Sequence, residues 1–150
     1  MRYMAGRVLI DAAREAAAHA HAPYSRFGVG AALLLRDGQI VAGANFENAS
    51  YGLSLCAETV ALATANSRGH LRDIVALGVV GGALAGGGML SGSALITPCG
   101  RCRQILTEAA QLAGRDIDIY CGSADGDDFA HFRASELLPH AFGPADLGIR

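Results

Sequence analysis

Apolar and alanine residues recur at helical spacing over residues 3–19, with charged side chains on the opposite face. This pattern predicts an amphipathic helix at the start of the chain. Two short apolar runs follow, at residues 29–35 and 39–43. The Asp37-Gly38 pair between them is typical of a tight hairpin turn, so the two runs are predicted to form antiparallel neighbouring strands.

The remaining chain alternates between helical and strand-like segments. Helices are predicted over residues 56–67, with Ser54 as the candidate N-cap, and over residues 98–114, opened by Pro98. The predicted strands cover residues 74–80, 117–120 and 129–133, and a closing helical turn covers 135–138. The glycine-rich residues 81–92 are predicted to form a flexible loop. An opening hairpin followed by alternating elements favours an α/β fold, with a mixed sheet of roughly five strands and helices on both faces.

Composition narrows the range of functions. The 150 residues, 51% of them hydrophobic and 17% charged, predict a single domain covering residues 1–150. A formal net charge of −2 gives no indication of a nucleic acid or membrane partner. No run of eighteen apolar residues is present, and Asp11 and Glu15 interrupt the apolar stretch that a signal peptide would need, so we expect a cytoplasmic protein. All twelve basic residues are arginine, which excludes lysine-dependent catalysis.

Two cysteine motifs are the strongest indication of chemistry. One is Cys56-Ala57-Glu58, and the other is PCGRC at residues 98–102, which supplies Cys99 and Cys102. Three thiolates can bind zinc and leave the fourth tetrahedral position for water, as in a catalytic zinc site. Both motifs fall at predicted helix starts, where free amides and the helix dipole favour thiolates. Glu58, two residues after the first cysteine, suits a proton shuttle beside the metal.

Other interpretations remain open at this point. A C-x-x-C motif alone is also found in structural zinc sites and in redox pairs. A redox pair needs neither a third cysteine nor a C-x-E motif. A structural site usually has a fourth ligand, and the remaining cysteine, Cys121, is predicted to be a buried small residue at the end of a strand. A zinc-stabilised module that binds a nucleoside or a protein without catalysis is the alternative from a different functional class.

With these motifs the chain resembles the zinc-dependent cytidine deaminases that act on free nucleosides. The resemblance is carried by PYSRFGVGAA at residues 23–32, NFEN at 45–48, the two cysteine motifs, ELLP at 136–139 and FGP at 142–144. It implies a three-layer α/β/α cytidine-deaminase-like fold and one zinc ion per subunit of a homotetramer. It also implies hydrolytic deamination of cytidine and deoxycytidine with release of ammonia, in pyrimidine salvage, by zinc-activated water with Glu58 as proton shuttle.

The resemblance also assigns substrate-binding residues. It implies that Asn45 and Glu47 bind the ribose hydroxyls, that Phe27 lies over the pyrimidine, and that Ala57 contacts the substrate. Tyr51 and Phe142 are the candidates for completing a site across subunits.

One position departs from the family pattern. Many members carry an arginine directly after the catalytic glutamate, where it donates to a ligand sulfur, whereas this chain has Thr59. The related blasticidin-S deaminases also lack that arginine, but they lack the N-x-E ribose pair that this chain retains. Cytidine and deoxycytidine are therefore the expected substrates, and a modified cytosine nucleoside such as blasticidin S is the alternative.

Overall fold

The structure, a computed structural model, describes residues 2–150. Its helices and strands, in chain order, are α1 (Arg2–Ala17), β1 (Phe27–Leu35), β2 (Ile40–Ala44), α2 (Ala57–Ser67), β3 (Ile74–Leu84), β4 (Leu90–Ser91), α3 (Gly100–Ala113), β5 (Asp118–Gly122), β6 (Phe129–Arg133) and α4 (Ala134–Leu137). The predicted helices and the hairpin of β1 and β2 are confirmed, with shifts of a few residues at their ends.

The strands form one mixed sheet in the order β2-β1-β3-β5-β6, and β4 pairs with β3 beside this path. Among the strand pairs in residues 2–150, β3 and β5 form the one parallel pair, and α3 makes the crossover between these two strands. In the part of the chain that the structure describes, the sheet has six strands rather than the roughly five that were predicted, because the two-residue β4 adds to it.

Each face of the sheet is covered by helices. On one face, α1 packs against the sheet through a core that includes Leu9, Ile10, Val80 and Tyr120. On the other face, α2 and α3 bury alanine and leucine side chains against β1, β3 and β5. The three-layer α/β/α arrangement is therefore confirmed, and the hydrophobic burial on both faces holds the layers together.

The prediction of a loop over residues 81–92 is partly wrong. Strand β3 continues to Leu84, and β4 pairs with its end through Ser91 opposite Ala83. A side chain at Gly82 would meet the backbone oxygen of Ser91. Gly82 therefore allows a close approach between the two strands, and because glycine has no side chain, the pattern of alternating side chains did not predict this part of β3.

The N-cap prediction at Ser54 is also wrong, because helix α2 begins two residues later than Ser54 would place it. Cys56 is the N-cap residue of α2 and Cys99 that of α3, both with extended backbone. The Ser54 hydroxyl instead accepts a hydrogen bond of 3.0 Å from the backbone of Asn48. The two cysteines therefore stand where each helix presents its unpaired amide groups.

Close packing fixes where α2 begins. A Cβ atom at Gly43 on β2 would lie 2.6 Å from the backbone nitrogen of Ala61 and 2.9 Å from the carbonyl oxygen of Ala57. Only glycine allows the helix to approach the strand this closely.

Within residues 2–150, no helix combines the length and the apolar character needed to cross a bilayer.

Candidate metal and active site

Three cysteine sulfurs converge where the N-termini of α2 and α3 meet. The Sγ atoms of Cys56, Cys99 and Cys102 all lie within 4.8 Å of one another, and those of Cys56 and Cys99 are 3.7 Å apart. Tetrahedral zinc with Zn–S bonds of about 2.3 Å needs sulfurs about 3.8 Å apart. Donor type, donor number and spacing therefore fit a zinc ion with one position left open.

The electrostatics of the cluster favour a thiolate. The pKa of the Cys56 thiol is lowered to about 6, chiefly because Cys102 hydrogen-bonds to it, with Cys99 and the nearby charge of Arg101 acting in the same direction. The hydrogen bond to Cys56, together with burial, raises the pKa of Cys102. Both shifts favour a thiolate on Cys56, which lies at the positive end of a helix dipole.

Glu58 lies directly beside these sulfurs. It is in the first turn of α2 and only 3% exposed. Burial raises the pKa of Glu58, a hydrogen bond with Cys102 acts in the opposite direction, and the charge on Cys56 raises the pKa again. A buried carboxyl group that holds its proton more strongly than a free one has the property required of a proton shuttle.

A cavity of about 240 Å³ opens over the cluster. Of the predicted residues, it is lined by Asn45, Glu47, Cys56, Ala57, Glu58 and Cys99. Residues that sequence reasoning missed complete its wall, namely Val29, Ser54, Leu55, Ile96 and Thr97. Of these, Ile96 and Thr97 could have been predicted from the sequence, because they directly precede the PCGRC motif and must therefore lie near its cysteines.

Asn45 and Glu47 are held in place by backbone groups. The Asn45 side chain accepts a hydrogen bond from the nitrogen of Val29 (2.9 Å) and donates one to the carbonyl of Phe27 (2.8 Å). One carboxylate oxygen of Glu47 accepts hydrogen bonds from the backbone nitrogens of Tyr24 (3.0 Å) and Ser25 (3.1 Å). Hydrogen bonds from Ser25 and Tyr24 lower the pKa of Glu47, so its carboxylate is an ionised acceptor at the cavity wall.

The three predicted aromatic residues are placed differently. Phe27 is 37% exposed at the start of β1, and its ring lies next to Gly81, close to the cavity-lining Ile96. Tyr51 is 72% exposed and lines an adjacent cavity of about 300 Å³, which shares Glu47 and Ser54 with the first. Phe142 is 62% exposed and does not line the site cavity, and its carbonyl accepts a hydrogen bond from Gln104.

Two residues outside the predicted set support the ligands. Arg103 donates hydrogen bonds to the carbonyl of Pro98, to the carbonyl of Leu137 and to the hydroxyl of Thr97. The Thr59 hydroxyl lies 3.5 Å from the sulfur of Cys102.

Cys121 lies outside the three-sulfur cluster and is fully buried, and burial raises the pKa of its thiol to about 12.

Comparisons with known proteins agree with this geometry. The family model for the cytidine and deoxycytidylate deaminase zinc-binding region matches residues 6–113. The chain is 45% identical over 141 residues to a cytidine deaminase of Halalkalibacterium halodurans, covering 94% of this chain and 96% of the relative. It is 44% identical over 135 residues to a cytidine deaminase of Mycobacterium tuberculosis, covering 90% and 87%.

The fold is also similar to solved structures. A crystal structure of cytidine deaminase from Burkholderia pseudomallei superposes with a TM-score of 0.75 at 40% sequence identity, covering 90% of this chain and 97% of that one. A structure of the Mycobacterium tuberculosis protein gives a TM-score of 0.67 at 40% identity, covering 91% and 95%.

Proposed function

The chain belongs to the cytidine and deoxycytidylate deaminase family, and on that premise we propose that it hydrolyses cytidine to uridine and ammonia. The observation that carries the proposal is the cluster of three cysteine sulfurs within 4.8 Å, with the buried Glu58 beside it at one cavity wall. The relatives named cytidine deaminase match nearly the whole chain, which favours cytidine over the alternative of blasticidin S.

Cys56, Cys99 and Cys102 would hold one zinc ion per subunit. When bound, zinc supplies a Lewis acid that lowers the pKa of a water molecule toward about 7, which gives a nucleophile at neutral pH. The helix N-termini at Cys56 and Cys99 stabilise the thiolates.

Glu58 moves the protons in the proposed reaction. It takes a proton from the attacking water and delivers it to N3 of cytosine, which makes C4 electrophilic. The oxygen bonds to C4, a second proton passes through Glu58 to the amino group, and the C4–N bond breaks to release ammonia. Burial keeps Glu58 away from bulk water, so each proton it carries goes to the substrate.

The cavity wall supplies groups for the rest of a nucleoside. We propose that Asn45 and Glu47 bind the ribose hydroxyls, since the ionised carboxylate accepts hydrogen bonds from hydroxyl groups and the amide can donate to them or accept from them. The backbone hydrogen bonds from Tyr24 and Ser25 both go to one carboxylate oxygen of Glu47, which fixes the orientation of this side chain at the cavity wall. Phe27 would cover the pyrimidine ring, Ala57 would contact it, and deoxycytidine would bind through the remaining sugar hydroxyls.

We further propose that the active unit is a homotetramer. Tyr51 and Phe142 are largely exposed aromatic side chains, and neither lines the site cavity of its own chain. Burial of such side chains against a second copy would remove apolar surface from water and bring new groups to the mouth of the site. The mass of the purified protein by light scattering tests this proposal, and a monomer with full activity would contradict it.

The proposed reaction is tested by the ultraviolet absorbance of cytidine. Zinc-loaded protein is mixed with cytidine, and Glu58→Ala protein with the same zinc content is run beside it. Loss of the cytosine band with the unmodified protein alone supports both the reaction and the role of Glu58. An unchanged spectrum with cytidine and deoxycytidine, from protein that carries one zinc per chain, would overturn the proposal.

A further inference from the structure

The hydroxyl of Thr59 contacts a sulfur of the proposed metal site. Thr59 lies in the first turn of α2, one residue after Glu58, and its Oγ1 is 3.5 Å from Sγ of Cys102 on α3. This contact joins the two helices that carry the three cysteines.

Thr59 differs in this contact from the other hydroxyl groups on these two helices. Those of Thr64, Ser67 and Thr107 each donate to the carbonyl oxygen four residues earlier, at 2.7, 3.0 and 2.9 Å. A hydrogen bond to the carbonyl four residues earlier is common for serine and threonine hydroxyls inside helices. Thr59 makes its hydrogen bond with the sulfur of another helix instead.

The sulfur that Thr59 contacts is the one that most needs a donor. Cys102 is fully buried, whereas Cys56 is half-buried and Cys99 exposed, so water can solvate the latter two. Three thiolates and Zn²⁺ carry a total charge of −1, and an unsolvated negative charge is costly in the interior. The guanidinium of Arg103 is directed at Pro98, Thr97 and Leu137, and Arg101 acts on Cys56.

We infer that Thr59 is a positioning residue that donates a hydrogen bond to the Cys102 thiolate and thereby sets how strongly the site holds its metal and how much charge remains on that sulfur. The inference rests on the proposed function only in taking Cys102 as a zinc ligand. A donor to a ligand sulfur stabilises the charged form of the ligand, and groups of this kind change metal affinity when they are removed.

The test compares Thr59→Val, which keeps the shape and loses the hydroxyl, with Thr59→Ser, which keeps the hydroxyl. Thr64→Val is the matched control, because it removes a threonine hydroxyl from the same helix without touching a ligand. Zinc affinity is measured by competition with a chromophoric chelator. We expect Thr59→Val to bind zinc about tenfold more weakly, and Thr59→Ser and Thr64→Val to bind it as the unmodified protein does.

A second readout reports on the sulfur itself. In the cobalt-substituted protein, the thiolate-to-cobalt charge-transfer band should move to longer wavelength in Thr59→Val, since a thiolate that loses its donor gives up an electron more easily. Thr59→Ser should restore the band. Thr59→Ala, which is smaller and fits wherever threonine fits, replaces Thr59→Val if the latter fails to fold.

Unchanged zinc affinity together with an unmoved cobalt band in the hydroxyl-free variant would overturn the inference. An equal loss of affinity in Thr64→Val would overturn it as well, because the effect would then be one of helix stability. Neither readout requires turnover. Failure of the unmodified zinc protein to deaminate cytidine would therefore count against the proposed function and leave this result standing.

Discussion

The guanidinium of Arg103 donates a hydrogen bond of 2.7 Å to the carbonyl oxygen of Pro98, the residue directly before Cys99. Its other two nitrogens reach the carbonyl of Leu137 at 3.0 Å and the hydroxyl of Thr97 at 3.1 Å. The guanidinium of Arg103 thus holds the segment of residues 97–98 in front of the candidate ligand Cys99, and it connects this segment to the end of α4. The same segment supplies Thr97 to the wall of the cavity.

Replacing Arg103 by lysine should therefore weaken the metal site while keeping the charge. An ammonium group cannot reproduce three divergent hydrogen bonds from a planar fork, so the segment before Cys99 loses its fixed position. We expect zinc affinity to fall by about tenfold or more in Arg103→Lys, measured by chelator competition. Arg72→Lys is the control, because Arg72 also donates to a backbone carbonyl, that of Leu112, at the opposite end of α3. Equal zinc affinities in the two variants would contradict the prediction.

Glu58→Gln should separate metal binding from turnover. Glutamine has nearly the same shape as glutamate but cannot carry protons between water, N3 and the amino group. We expect one zinc per chain to be retained and the turnover of cytidine to fall by more than about a thousandfold, since one group serves two proton transfers. Zinc content is measured by atomic absorption and turnover by the ultraviolet assay. A variant that kept turnover within tenfold of the unmodified protein would remove Glu58 from the mechanism.

Cys121 should prove irrelevant to the metal. It lies outside the three-sulfur cluster, and burial raises the pKa of its thiol to about 12, so it remains a neutral apolar group. We expect Cys121→Ala to purify with the same zinc content as the unmodified protein, at some cost in stability from the lost packing. Cys102→Ala is the comparison and should lose its zinc. Zinc loss in Cys121→Ala without unfolding would point instead to a structural site with four cysteine ligands.

The sequence was sufficient to predict the layers of the fold and the three cysteines that form the cluster. Helical periodicity and the Asp37-Gly38 turn are local signals, and they correctly predicted α1 and the hairpin of β1 and β2. In the PCGRC motif, Cys99 is the N-cap residue of α3 and Cys102 lies in the first turn of the same helix, so the short spacing between them brings both sulfurs to the start of α3. The clustering of all three sulfurs depends on packing between α2 and α3, and local sequence patterns do not predict that packing. The resemblance to the family was the basis for expecting it.

Other features could not be predicted because they arise only when distant segments meet. The contact between Thr59 and Cys102 spans 43 residues, and the sequence analysis singled out Thr59 only as a departure from the family's arginine, without predicting that its hydroxyl contacts a ligand sulfur. The hydrogen bond from Arg103 to Leu137 spans 34 residues. The extension of β3 through Gly82 was missed for a related reason, since glycine carries no side chain whose alternation could mark a strand.

Glu47 offers a test that depends on pH. Hydrogen bonds from Ser25, by its side chain and backbone, and from the backbone of Tyr24 lower the pKa of Glu47 below its ordinary value of 4.5. A carboxyl whose pKa is lower in the folded than in the unfolded chain stabilises the fold when it is ionised. That contribution is fully present above pH 4.5 and is lost as the pH falls through the folded-state pKa.

We therefore expect the difference in free energy of unfolding between the unmodified protein and Glu47→Gln to be constant above pH 4.5 and to shrink below it. Urea denaturation at a series of pH values measures this difference. Ser25→Ala removes the largest cause of the shift, so in its background the difference above pH 4.5 should be smaller and its decline should be complete at a higher pH. Because Glu47 is partly exposed, salt should reduce the effect. A difference that grew as the pH fell would mean that the folded protein raises the pKa of Glu47, contrary to its hydrogen bonds.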